Sequence, residues 1–415
     1  MDFALQPHTT AGARFVALAE QHATDFATRA AQHDREGSFP FENIEAMQKS
    51  GVMAACVPVE FGGLGVESLH DAVLGISRLG RGDGSTAIAA TMHIFLPWRL
   101  TRNWRAATAA GETAQAEQVA AVLRQIGTSQ IVRCSLISEP GTDMLHPLVE
   151  ATKVEGGWRL NGRKTFGTLS PAASLLDVTC RSQDAQGGFR RAQASVPRGT
   201  AGMDIRNNWD ALGMRGSGSH DIVFQDCFVP DAALRDDGPW GEWTERFLSG
   251  NMAFNMGLVG AFLGIAEAAR DLIVDMVKTR RKGLSSRLLA ERAPIQYLIA
   301  EIEIDLAAAR AMLARTATTA GTFFSQHPAG RVPLDELHAL MKDFQCTKWF
   351  VTRKAIEIVD RALTASGGAG YLSSNPLSRL YRDVRAGPFM QVFSPNEAFE
   401  YLGKVTLGLD PRLED

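Results

Sequence analysis

The chain has 415 residues, with 43 lysines and arginines against 46 aspartates and glutamates and a formal net charge of -3 at neutral pH. That length allows two or three folding units with a large core, and the near balance of charge excludes an electrostatic footprint for nucleic acid or an anionic membrane. Five scattered cysteines, Cys56, Cys134, Cys180, Cys227 and Cys346, form no Cys-x-x-Cys pair and read as buried, reduced thiols rather than as metal ligands.

The opening MDFALQPHTTAGARF is acidic and polar where a signal peptide needs a basic start and an apolar run, so a cytoplasmic protein is expected. From Ala11 to about Gly127, apolar residues recur at three and four, which predicts helices over GARFVALAEQHATDFATRAAQH, FENIEAMQKSG and ESLHDAVLGISRLG. Gly51 and Gly80 are expected as helix stops, and Pro58, Gly62, Gly63 and Gly65 mark VPVEFGGLGV as a loop. From Ile131, short alternating segments rich in β-branched residues predict a β unit, with Gly156-Gly157 at a hairpin turn. After Pro230 the helical period returns in three long stretches suited to a bundle. Within them, NMAFNMGLVGAFLGIA is interrupted by Asn251 and Asn255 and reads as too short for the roughly 20 apolar residues of a membrane span. The expected organisation is a helical unit over 1–130, a β unit over 131–232 and a helical bundle over 233–415.

Chemistry is harder to read from the residues alone. No Gly-x-Gly-x-x-Gly fingerprint opens a βαβ unit, no Gly-Lys-Ser/Thr phosphate loop is present, and no nucleophile elbow is visible. The nine histidines include no i, i+4 pair of the kind that binds zinc on a helix, so no metal is expected.

Five segments carry a resemblance. VPVEFGGLGV, CSLISEPGTD, GWRLNGRKTFGT, ALGMRGSGSHDIVFQDCFVP and ASGGAGY followed by RLYRDVRA stand in the order and spacing of the acyl-CoA dehydrogenase superfamily, and the chain resembles a diverged member of it. The resemblance implies an α+β multidomain fold: N-terminal helices, a central β-barrel and a C-terminal four-helix bundle, with FAD between barrel and bundle. Ser138 of LISEPG would meet the polar edge of the flavin ring, where donors ease the acceptance of two electrons. Phe166 of KTFGT would flank the ring, and Thr168 would lie near N5. Gly367 and Gly368 match a glycine turn that lets backbone approach the pyrophosphate of a flavin in the neighbouring subunit, while Thr364 stands where the family has glutamine. Arg281, or Arg280 with a one-residue shift, would face a phosphate across the same interface, which implies a homotetramer or at least a dimer.

The pattern breaks at the base. Dehydrogenation of an acyl thioester needs a carboxylate within about 3 Å of the α-proton. The family places it in a Glu-Gly-Thr turn, where this chain has Ser394, Pro395 and Asn396, the last kept as a cofactor contact. Some members use the first bundle helix instead, and there the alignment gives Phe254. Glu397, one turn beyond Ser394, is either a substitute base or an acidic residue in the first turn of the last helix. EPGTDMLHP also departs from the family's Ala-Gly-Ser-Asp, which removes a pantetheine contact and leaves His146 near the mouth. Three readings follow. The first is an acyl-thioester dehydrogenase with an atypical base and an electron acceptor. The second is a flavin monooxygenase acting on an apolar or aromatic small molecule with O2 and a flavin reductase. The third is a non-catalytic subunit completing a partner's FAD site.

Overall fold

The computed structural model describes residues 3–281, 283 and 286–413. The first predicted helix is observed as two, α1 (Thr10–Ala27) and α2 (Ala30–Glu36). The break follows from local competition for backbone, since the Thr28 hydroxyl donates to Asp25 O at 2.6 Å. Helix α3 (Phe41–Ser50) stops at Gly51, in the left-handed region at φ 82°, as expected. Gly80 does not stop its helix. It lies inside α4 (Leu69–Gly82), where a Cβ would come within 2.5 Å of Ala261 O, so the glycine permits close helix packing rather than an end. Asp83 then caps α5 (Gly84–Ala109), accepting from Ser85 and Thr86 N–H, and α6 (Thr113–Gly127) completes the N-terminal helices.

The strands are β1 (Arg133–Leu136), β2 (Glu150–Val154), β3 (Gly157–Gly167), β4 (Leu175–Gln183), β5 (Phe189–Pro197), β6 (Met203–Ile205), β7 (His220–Pro230) and β8 (Leu234–Pro239). They form one eight-stranded sheet in the order β6-β7-β3-β2-β4-β5-β8, with β1 parallel to β4. The expected barrel is thus an open pairing pattern: β6 and β8 are its ends and are not paired with each other among the described residues. Val154 pairs with Gly157, so the hairpin turn is Glu155-Gly156, one residue earlier than expected, with Gly156 at φ 73°. Val178, Cys180, Ala192, Ala194 and Phe224 fill the interior of this unit.

The bundle comprises α7 (Glu245–Thr279), α8 (Ala293–Gln326) and α9 (Leu334–Ser366), followed by α10 (Pro376–Val384) and α11 (Pro395–Leu407). Contrary to the reading from its asparagines, α7 is long and apolar enough to cross a membrane by length and composition, but 94% of that stretch is buried inside the protein. It packs against α4, α5 and α9 at once, which is why it is apolar on every side. Four cysteines are buried and free, whereas Cys346 is exposed because it falls on the outward side of α9.

Candidate functional site

A cavity of about 680 Å³ opens where the sheet meets the bundle. Ile88 and Met92 of α5, the end of β1 through Ser138, Phe166 and Thr168 at the end of β3, and Trp209 form one part of its wall. Phe254 and Leu258 of α7 and the segment from Arg382 to Gln391 form the rest. Buried His93 fixes β1 against α5: it accepts the Arg133 N–H at 3.0 Å, and burial pushes its imidazole down to about 4, so it is a neutral acceptor. Phe166 sits at φ 54°, a left-handed conformation that side chains rarely adopt, and this turns its ring outward to 62% exposure, edge-on to Trp209. The Thr168 hydroxyl pairs with Ser219 Oγ at 2.8 Å.

Gln391 closes the wall by donating to Ser138 Oγ. Its segment is held from behind by buried Lys348, whose Nζ donates to Met390 O and, at 2.6 Å, to Phe393 O. Burial pushes this amine down to about 7, and even the neutral amine keeps two N–H donors for the two carbonyls. Asp383 accepts from Met214 N–H at 2.6 Å and fixes the opposite rim, its carboxyl pushed up to about 6 by burial.

The structure brings Ser138, Phe166, Thr168 and Phe254 together around this cavity. Ser394 and Glu397 instead line a smaller cavity of about 330 Å³ that shares Ser138, Phe166, Phe389 and Gln391 with the first. Glu397 adopts the second arrangement considered for it: its carboxylate accepts the Ser394 N–H at 2.6 Å in a capping box at the start of α11. Asn396 is exposed on that first turn and lines neither cavity. Arg281 is exposed and donates to Ser286 O at 3.0 Å, while Arg280 caps α7; residues 282, 284 and 285 of that turn lie outside the described residues. Thr364, Gly367 and Gly368 are exposed at the end of α9, with Gly367 at φ 66°. They too line neither cavity of this chain, as residues serving a neighbouring subunit would not. His146 is held at 2.9 Å by Asp143, which lines the smaller cavity, and packs edge-on against Trp240; it lines neither cavity itself.

Gln391, Lys348, Trp209 and Arg385 were not foreseen as site residues. Gln391 stands three residues before the Ser394 turn, but an amide in MQVFSP carries no spacing signal. Lys348 lies mid-helix, where a lysine ordinarily reaches water. Arg382 and Arg385 sit in RDVRA, a segment that the resemblance did mark.

Chemically, the larger cavity offers hydroxyl and amide donors, from Ser138, Thr168 and Gln391, beside broad apolar surfaces from Ile88, Met214 and Leu258. That donor set fits a flat ring with one polar edge, and the volume is that of a cofactor or substrate pocket. No carboxylate is among its lining residues, counted over the described residues. Elsewhere, His8, His70 and Asp71 are spaced as three metal ligands would be. Asp71 there accepts from His8 N–H, Thr9 N–H and the Thr9 hydroxyl, anchoring the N-terminal segment.

Comparison with known proteins agrees with this geometry. Residues 14–103, 134–227 and 256–395 match, respectively, the N-terminal, middle and C-terminal domains of acyl-CoA dehydrogenase. The amino sugar nitrososynthase DnmZ of Streptomyces peucetius is 35% identical over 97% of this chain and 95% of its own. The L-evernosamine nitrososynthase of a Micromonospora strain is also 35% identical, over 97% and 92%. The solved structure of KijD3 in complex with FMN and dTDP-3-amino-2,3,6-trideoxy-4-keto-3-methyl-D-glucose is 33% identical, covers 100% of this chain and 98% of its own, and superposes with a TM-score of 0.90. With all three domains matched in order and the pocket between sheet and bundle suited to a flavin, this chain belongs to the acyl-CoA dehydrogenase superfamily of flavin-dependent oxidoreductases.

Proposed function

We propose that this enzyme is an oxygenase that places oxygen on the amino nitrogen of a nucleotide-linked amino sugar, and that it is not an acyl-thioester dehydrogenase. The observation that carries this reading is the larger cavity without a carboxylate, flanked by Phe254 on α7 and separated from Glu397 by the Ser138–Gln391 contact. Removal of an α-proton requires a base in contact with it. An amine needs only its own lone pair, provided that it is unprotonated. Arg385 lines the cavity with no ion-pair partner among the described residues, and a cation there disfavours protonation of a substrate amine. The likeness to two nitrososynthases and to a structure holding a dTDP-linked amino sugar supports the substrate class.

A reduced flavin bound in this pocket would supply the two electrons that activate O2, one atom of which goes to the substrate nitrogen. Ser138, Thr168 and Gln391 would hold its polar edge, and the apolar lining would exclude water. One turnover consumes R–NH2, O2, two electrons and two protons and yields R–NHOH and water; the electrons come from a flavin reductase. Of the two flavins, FMN is favoured over the expected FAD, because Thr364 reaches less far than the glutamine the family has at the turn facing a neighbouring subunit's pyrophosphate and the KijD3 structure carries FMN. The exposed turn at Gly367–Gly368, with Tyr371 82% exposed, supports assembly as a homotetramer or dimer, and a cytoplasmic location is proposed with it.

The test supplies purified enzyme with FMN, a flavin reductase, labelled O2 and a dTDP-linked amino sugar. Label on the substrate nitrogen is expected, together with a flavin that acyl-CoA does not bleach under anaerobic conditions. Bleaching by a thioester with no label transferred would overturn the reading.

A further inference from the structure

Beside the flavin pocket, sharing Met92, Ser135, Ile137 and Phe254 with it, lies a small cavity of about 60 Å³. At roughly 30 Å³ per water, it holds two waters or one compact polar group. Its surroundings are unusual in charge. Arg99 of α5, Arg191 of β5, Arg235 of β8 and Arg246 in the first turn of α7 converge here around one carboxylate, Asp237. Two neighbouring acids are engaged elsewhere: Asp177 by Arg133 and by the Ser195 hydroxyl at 2.8 Å, and Asp236 by Arg190 at 2.6 Å.

Asp237 is itself shared. Arg191 Nε lies 3.3 Å from one oxygen, and Arg246 Nε lies 3.4 Å from the other without hydrogen-bond geometry. Arg235 donates through Nη2 to Gln193, but its buried Nε has no partner. Arg99 has neither a hydrogen bond nor an ion pair among the described residues. Room for it is made by Gly250, where a Cβ would come within 3.1 Å of Nη1. Arg191 is fully buried, while Arg99, Arg235 and Arg246 are part-buried, and cations drawn out of water are ordinarily paired. Four guanidiniums around one carboxylate therefore leave an excess of positive charge that the chain does not neutralise. Burial, with the neighbouring arginines, pushes Arg235 down to about 9, as such an excess requires.

We propose that this cavity is an anion subsite that receives a phosphoryl group of a nucleoside-diphosphate-linked substrate, with Arg99 and Arg246 as its ligands, while the reacting end lies across Phe254 in the flavin pocket. The inference rests on the reading above for the kind of nucleotide, but not for the anion. Guanidinium forks match phosphate geometry, and a partly desolvated site strengthens the contact.

The experiment follows the thermal midpoint and the binding isotherm of the full, flavin-loaded chain with inorganic pyrophosphate, dTDP and coenzyme A. Wild type and the volume-conserving Arg99→Met and Arg246→Met are compared. Wild type is expected to bind dTDP with an affinity that falls as salt rises. Arg99→Met should weaken it about tenfold or more while retaining flavin. Because the substitution removes an unpaired, part-buried cation, its midpoint without ligand should match or exceed that of wild type, so loss of binding cannot be ascribed to unfolding. Equal dTDP binding by wild type and Arg99→Met, or no binding of any of the three phosphates by wild type, overturns the subsite. Tighter binding of coenzyme A than of dTDP, lost on Arg99→Met, upholds the subsite and overturns the amino-sugar reading instead.

Discussion

The two cavities that meet at Ser138, Phe166, Phe389 and Gln391 are built from neighbouring stretches of chain yet differ in charge. Among the described residues, the smaller is lined by three carboxylates, Glu139, Asp143 and Glu397; the larger is lined by none. Each of those three acids is already committed. Glu139 pairs with fully buried Lys164 and accepts the Leu148 and Val149 N–H groups at 2.9 and 3.0 Å. Asp143 holds His146 and the Leu145 N–H, and Glu397 caps α11. An acid near a flavin is thus a base only if its lone pairs are free and it stands on the right side of the wall.

The largest effect should come from the acid that is most deeply held. Lys164→Met leaves Glu139 buried without its counterion and should cost about 3–5 kcal/mol, read by urea unfolding at neutral pH. A loss below about 1 kcal/mol would mean that the two backbone N–H groups suffice, and that the smaller cavity tolerates a free carboxylate after all.

Next comes the wall itself. Lys348→Met orphans the carbonyls of Met390 and Phe393, at about 1–3 kcal/mol each. With Gln391 released from Ser138, the cavities should merge and flavin should wash out on gel filtration. The pH dependence has a definite sign. The folded-state amine titrates at about 7, below its ordinary 10.5, so the penalty for burying it charged is complete below pH 7. That penalty is relieved as pH rises from 7 toward 10.5. The stability gap between wild type and Lys348→Met should therefore widen between pH 7 and pH 9; a gap that is constant or narrows would show that the amine stays charged.

The smallest effect is expected at Glu397. Glu397→Gln keeps an acceptor for the Ser394 N–H and loses only the charge at a helix N-terminus, about 0.3–1 kcal/mol. If the proposed oxygenation is the reaction, its turnover should be unchanged within a factor of two. A drop of a hundredfold would make Glu397 a proton acceptor and erase the contrast between the cavities.

Much of this was legible in advance. Apolar periods located the long helices, the collinear segments marked Ser138, Phe166 and Thr168, and the alternative base position on the first bundle helix marked Phe254. Gly80 misled because a glycine that allows two backbones to touch has the same letter as one that ends a helix. Gln391, 253 positions from the Ser138 it contacts, was invisible for a related reason: no local period links an amide to its distant partner.

By itself, the sequence determined the order of helical and β units, the family they belong to and the absence of the usual base at Ser394 and Phe254. Each of these depends on residues close together in the chain or on their order along it. Only the tertiary structure decided which acids are occupied, which wall separates them from the flavin pocket and where Arg99, Arg191, Arg235 and Arg246 meet around Asp237. Charge balance in a cavity is summed over elements that adjoin only after folding, and burial then sets what each charge costs.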